Sequence, residues 1–234
     1  MTKEAKKGGK APGEMLNKLR ASVLGANDGI VSTASLIFGV AGATSDPKAI
    51  VTAGIAGVVA GALSMGVGEY VSVSTQRDTE RAYIAREKKL LKNEPAEQLQ
   101  ELTELYASKG LSTKTAQAVA AEFSAIDPIK AHLDAEFNLD EDELTNPMHA
   151  AVASSISFTA GALVPLLTAV FAPPEWRITA TVLAVAAALT LTGYFSATIG
   201  SASRRRAIFR VVFGGLLAMA VTYGIGHLFG VAVG

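Results

Sequence analysis

The sequence predicts an all-α fold: an integral membrane bundle of five transmembrane helices with an inserted cytoplasmic helical domain. Three observations lead there. Half of the 234 residues are hydrophobic, only 18% are charged, and the mean hydropathy is +0.33. The charges are unevenly spread: runs of about 20 residues, enough for a helix to cross a bilayer, contain one or none. Between the second and third runs lies a polar stretch of a different character. A soluble core helix as long as these runs would show a charged face.

The elements follow in order. Residues 1–20 form a basic tail with Lys3, Lys6, Lys7, Lys10, Lys18 and Arg20. The first span, 21–43, holds only Asp28, and the second, 50–73, only Glu69. The spans at 150–171, 178–199 and 211–233 hold no charge. The membrane segments are thus 21–76 and 148–234. The length of the first apolar run, its Asp28 and the four later spans argue against a cleaved signal peptide. Lys and Arg set the orientation. The first short loop has only Lys48 and the loop near Pro173-Pro174 only Arg177, whereas the turn after the fourth span has Arg204, Arg205, Arg206 and Arg210. The N-terminus, the long insert and the arginine turn are therefore expected in the cytoplasm and the C-terminus outside.

The insert, 77–147, carries 15 acidic residues against nine basic ones. Its first helix continues the second span to about Lys92, since no Gly or Pro intervenes. Pro95 starts the next at its favoured first position, and Gly110 closes it. Ser112 caps a third helix, expected to reach about Ser124. Asp127-Pro128 opens a short fourth, to about Phe137, and Asn146-Pro147 leads back into the membrane.

Composition excludes several functions. Lys+Arg and Asp+Glu balance at 21 each, which removes net charge as an argument for nucleic acid as a partner. With no cysteine, thiolate metal sites, disulfides and a cysteine nucleophile are absent. No nucleotide-binding, hydrolase or zinc-protease motif occurs. No enzyme and no resident cofactor are expected.

The chemistry rests on carboxylates and one thioether. An ionised carboxylate in hydrocarbon is costly, so Asp28 should face a bundle interior, a cavity or a partner, where it can exchange a proton for a metal ion. The plain alternative is an aspartate held by Asn27 or Ser32. Met65, Glu69, Ser72, Gln76, Glu80, Tyr83 and Glu87 recur every three or four residues, which places them on one helix stripe. From Met65 to Glu87 that stripe spans about 33 Å, a track for a cation. The alternative is a solvated face above an ordinary packing methionine. As a ligand, soft thioether sulfur favours later transition metals over Mg²⁺ and Ca²⁺. In the insert, Glu94, Glu97, Glu101 and Glu104 share a face, and His132 and Glu136 stand four apart, within reach of one ion. A solvated acidic helix and a surface pair are the ordinary readings of these two. Gly25-x-x-x-Gly29, Gly57-x-x-x-Gly61 and Gly226-x-x-x-Gly230 permit close helix packing, within the chain or across a dimer. Pro165 is a candidate kink in the third span.

The stretches Ala26-Asn27-Asp28-Gly29-Ile30-Val31-Ser32-Thr33 and Ser64-Met65-Gly66-Val67-Gly68-Glu69-Tyr70-Val71-Ser72-Val73 resemble the two signature spans of the vacuolar iron transporter family. The stretch from Asn146-Pro147 to Pro165, with Ser157-Phe158 and Gly161, resembles its third. The resemblance implies a homodimeric proton antiporter that moves Fe²⁺, and often Mn²⁺, out of the cytosol along the dimer interface. It implies that Asp28 and Met65 belong to the intramembrane metal path, with Glu69 in the second signature. It also implies that the insert is a metal-binding domain in which Glu87, Glu101 and Glu136 stand at ligand positions; the residues themselves add Glu80, Glu94, Glu97 and His132 as candidate metal ligands. Within that pattern Leu90 and Gln98 stand where carboxylates are usual, and His132 where a Met can stand. Fewer carboxylates and an imidazole would weaken hard-cation binding and make affinity fall as His132 protonates. Glu94 and Glu97 are possible substitutes. The competing expectation is a metal sensor or scaffold that binds ions through the acidic domain without transport, and a third is a carrier of Na⁺ or H⁺. The compact loops suggest a prokaryotic plasma membrane.

Overall fold

A computed structural model describes residues 12–233. The tail lysines Lys3, Lys6, Lys7 and Lys10 lie outside them. The described residues are helical almost throughout and fall into two compact units. One unit comprises the described residues up to Tyr70 together with those from Met148 onward, and the other comprises Val71–Pro147.

The first unit is built from α1 (Pro12–Ala43), the N-terminal half of α2 (Pro47–Asn93), α6 (Pro147–Phe171), α7 (Arg177–Ile199) and α8 (Arg204–Val233). Five helices among the described residues are long and apolar enough to span a bilayer. Two are helical well ahead of their apolar runs. α1 is already helical at Pro12, the first described residue and well before Ala21, and no further proline interrupts it before Ala43. α8 starts at Arg204, so the arginines expected in a turn occupy its first two turns; arginine is a good helix former. The turn before it uses a left-handed Ser201 (φ 52°), and the Ala202 N–H donates to the Ala197 carbonyl.

Ile30, Ile37, Phe38, Val185, Leu189 and Met219 are buried together between α1, α7 and α8. Glycine makes the approach of α1 to α6 possible. A Cβ on Gly29 would run into the Phe158 carbonyl, and one on Gly161 into the Ala26 carbonyl. Gly226 likewise lies against the backbone of Gly39. These small-residue motifs are therefore filled by neighbours in the same chain. α6 runs through Pro165 without interruption, with the proline ring fully buried. Outward, Leu183, Leu191, Phe209, Phe213, Leu228 and Phe229 are exposed, an apolar exterior suited to lipid.

The second unit contains the C-terminal half of α2, α3 (Pro95–Ser108), α4 (Thr113–Ile126) and α5 (Pro128–His132). A π-helical turn, Leu133–Phe137, and a 3₁₀ turn, Glu141–Glu143, complete it. Leu102, Ala120 and Ala131 form its core, with Leu99, Leu105 and Tyr106 packed around them. The Ser112 side chain accepts from the Thr115 N–H at 3.3 Å and starts α4. α4 runs two residues past Ser124, to Ile126, because the extended Asp127 both ends it and caps α5. Gly110 (φ 101°) supplies the left-handed residue after α3, which costs glycine little. The short helix expected to reach Phe137 is α-helical only to His132 and then widens into the π-turn. Left-handed Asn138 terminates it, with the Leu139 N–H donating to the Leu133 carbonyl.

Candidate metal sites

In the second unit, α2, α5 and the π-turn bring Glu87, His132 and Glu136 together. One potential ligand atom from each lies within 4.8 Å of the others. Glu87 is 3% exposed and His132 is completely buried. The His132 Nδ1 is 2.9 Å from Glu136 Oε1 and 3.3 Å from Glu87 Oε1. The first contact is a hydrogen bond, and with a carboxylate accepting, Nδ1 carries the hydrogen. The second lacks hydrogen-bond geometry, and both Glu87 Oε1 and the opposite ring nitrogen, Nε2, are buried with no partner. Orphaned buried acceptors are costly. Two ligands held at ~2.1 Å by one ion sit ~3.0–3.4 Å apart; the two His132 distances are close to that, and the third pair lies within 4.8 Å. π-turns recur at functional sites because the extra residue re-aims side chains.

The electrostatics agree. Burial pushes the Glu87 carboxyl above the ordinary carboxylate range. The charges of Glu136 and Glu101 push it further, while His132 and Arg86 oppose them. A divalent cation would relieve this burden, because it favours the ionised form.

The other expected ligands are placed differently. Glu101, on α3, is exposed and accepts from Gln98 Nε2 at 3.2 Å. Gln98 is itself buried, with its Oε1 unpartnered. Glu80 accepts from Gln76 at 2.7 Å on the face of α2, outside the three-ligand group. Glu94 and Glu97 are exposed at the start of α3 and are not members of the group either. Leu90 is half-buried.

In the first unit, α1 and α2, with Phe158 of α6, line an open cleft of about 200 Å³. Asp28, Ser32 and Thr33 line it from α1, and Gly57, Gly61 and Met65 from α2. At ~30 Å³ per water, a partly hydrated ion fits. The alternative in which Ser32 holds the aspartate side chain is not what occurs: the Ser32 hydroxyl donates to the Asp28 backbone carbonyl at 2.6 Å. Asn27 Oδ1 is buried without a partner. Thr33 is 1% exposed, and its hydroxyl is also unpartnered. Glu69 lies one turn beyond Met65, half-buried and outside the cleft lining. Thr33, Gly57 and Gly61 join the cleft without being candidate site residues on sequence grounds. The signal was present in the four-residue spacing of Asp28 and Ser32 and of Gly57 and Gly61, which repeats small or polar residues on one helix face.

A sequence model of the VIT family matches residues 19–227. The chain belongs to the VIT family. It is 39% identical over 213 residues to the protein named vacuolar iron transporter homolog 2 of Arabidopsis thaliana, covering 91% of this chain and 84% of the relative. It is 38% identical over 211 residues to the vacuolar iron transporter of Acanthamoeba castellanii, covering 90% and 78%. Vacuolar iron transporter homolog 1 of Oryza sativa subsp. japonica is 38% identical over 237 residues, covering 97% and 84%. The two signature spans of this VIT-family chain are thus the two helices that meet at the Asp28–Met65 cleft. The relatives' names point to the vacuole, so the expected prokaryotic plasma membrane finds no support in them.

Proposed function

We propose that this VIT-family chain transports a divalent transition metal, Fe²⁺ and also Mn²⁺, out of the cytosol in exchange for protons, as a homodimer. The observation that carries the reading is the cleft, where a carboxylate and a thioether from different helices share one intramembrane volume. Asp28 supplies the charge that stabilises a cation in hydrocarbon. Met65 supplies a soft donor that weights the site toward transition metals. The cation is cargo, so no resident cofactor is required.

Glu87, His132 and Glu136 then serve as the cytoplasmic collecting site, with Glu101 contributing charge from α3 and Glu80, Glu94 and Glu97 forming an outer acidic surface. Binding there displaces the hydrogen on His132 Nδ1, so capture is coupled to proton release. Glu69 lies between capture and the cleft along α2. The relatives' printed names speak of iron and the vacuole; for this chain the direction out of the cytosol also draws on the basic residues that flank the first and fourth spans. A second reading is favoured by one observation: the three-ligand group lies wholly within the second unit. A sensor that binds metal and rearranges without flux needs no more than that.

Proteoliposomes decide between them. Metal entering the lumen under anaerobic conditions, with an opposing pH change reported by a trapped dye, supports the antiporter. Metal-dependent change in the second unit with no flux supports the sensor.

A further inference from the structure

A second cleft, of about 480 Å³, lies wholly within the second unit and belongs to neither metal site. Arg77, Arg81 and Lys88 line it from α2, and Glu141, Asp142 and Leu144 from the opposite wall. Lys88 and Glu141 satisfy each other through a 2.5 Å ion pair. Among the described lining residues that leaves two arginines facing one aspartate. Arg77 Nε is buried with no hydrogen-bond partner. The described residues offer neither Arg77 nor Arg81 an ion-pair partner. A guanidinium left this way is a bidentate receptor for an oxyanion.

Chain position identifies the anion. Arg77 and Arg81 follow Val73, the end of the second apolar run, by four and eight residues on one unbroken helix. At 1.5 Å per residue that is ~6 and ~12 Å along the axis, which puts Arg77 within the headgroup layer and Arg81 one helical turn further out. The opposite wall ends at Leu144, three residues before α6 begins the next span. Both walls are thus tethered close to the membrane surface, and the sequence orients that surface to the cytoplasm.

We propose that this cleft binds the phosphodiester headgroup of an anionic phospholipid from the cytoplasmic leaflet, gripped by Arg77 and Arg81. One phosphodiester charge balances the surplus positive charge of the described lining residues. A zwitterionic headgroup brings its own cation and does not. Leu144 and buried Ile84 give the glycerol end an apolar margin.

The test uses the full chain in detergent micelles. The sequence has no cysteine, so Ala85→Cys on the cleft wall carries a single environment-sensitive fluorophore. Titration with phosphatidylglycerol is expected to give a saturable change that phosphatidylcholine does not. Juxtamembrane basic residues are each worth about fivefold in anionic-lipid affinity. Arg77→Gln with Arg81→Gln should therefore cost more than tenfold, while Arg77→Lys with Arg81→Lys retains most of the response. Circular dichroism confirms that each variant keeps its helices. Equal responses to the two lipids, an unchanged titration in the double Gln variant, or full reproduction of the change by inorganic phosphate would each overturn the proposal.

Discussion

Glu87→Gln separates the cost of the buried carboxylate cluster from its use. The substitution keeps the shape of the side chain and removes one negative charge. The Glu87 and Glu136 ligand oxygens lie within 4.8 Å of each other. Two unit charges at that distance repel by ~3.5 kcal/mol at an effective dielectric constant of ~20. The His132 contact offsets part of this, so a net gain of about 1–2 kcal/mol is expected for the metal-free protein near neutral pH. The pH dependence has a definite sign. Because the Glu87 pKa is raised on folding, its contribution is favourable below the ordinary carboxylate range and is lost as pH rises through the raised value. The advantage of the Gln variant is therefore present near neutral pH and closes on acidification. Metal reverses the order. At a free Mn²⁺ concentration ~100 times Kd, binding stabilises the wild type by ~2.7 kcal/mol, and the variant forfeits most of that. Thermal melts followed by circular dichroism, with and without Mn²⁺ at two pH values, read both effects. A variant that melts lower without metal, yet keeps the full Mn²⁺ shift, would show that Glu87 neither strains the empty cluster nor binds the ion.

Three further outcomes follow from the same geometry. Gly161→Leu drives a side chain into the Ala26 carbonyl, so the α1–α6 contact should open, and gel filtration of the purified variant should show aggregation or loss of folded protein. Met65→Leu keeps the volume but removes the soft donor, so Fe²⁺ flux should fall relative to that of a hard cation in a competition assay, with helicity unchanged. Ser112→Ala removes the α4 cap and should destabilise the second unit by about 1 kcal/mol, visible as faster amide exchange across α4.

Much of the architecture was legible because membranes and helix ends both impose strict rules. Hydrocarbon tolerates few charges, so the apolar runs marked the spans. Pro95, Gly110, Ser112 and Pro128 punctuated the insert because each satisfies or removes a backbone group at a helix terminus. The π-turn at Leu133–Phe137 was hidden. One extra residue per turn leaves no mark in composition, and it depends on how His132 and Glu136 are packed. The start of α8 was masked by its arginines, which read equally well as a loop or as a helix beginning. The glycine motifs announced close packing but not the partner, since a small residue admits any backbone. Within the acidic insert, spacing alone ranked Glu94 and Glu97 beside Glu87. Burial separates them, and burial is a tertiary property.

Transport as proposed requires a cation to pass between Asp28 and Met65. Anaerobic Fe²⁺ uptake into proteoliposomes with an opposing pH indicator, comparing wild type with Asp28→Ala, tests it most directly. Coupled metal and proton movement is expected in the wild type and neither in the variant, whose circular dichroism stays helical. Wild-type flux from Asp28→Ala would contradict that requirement.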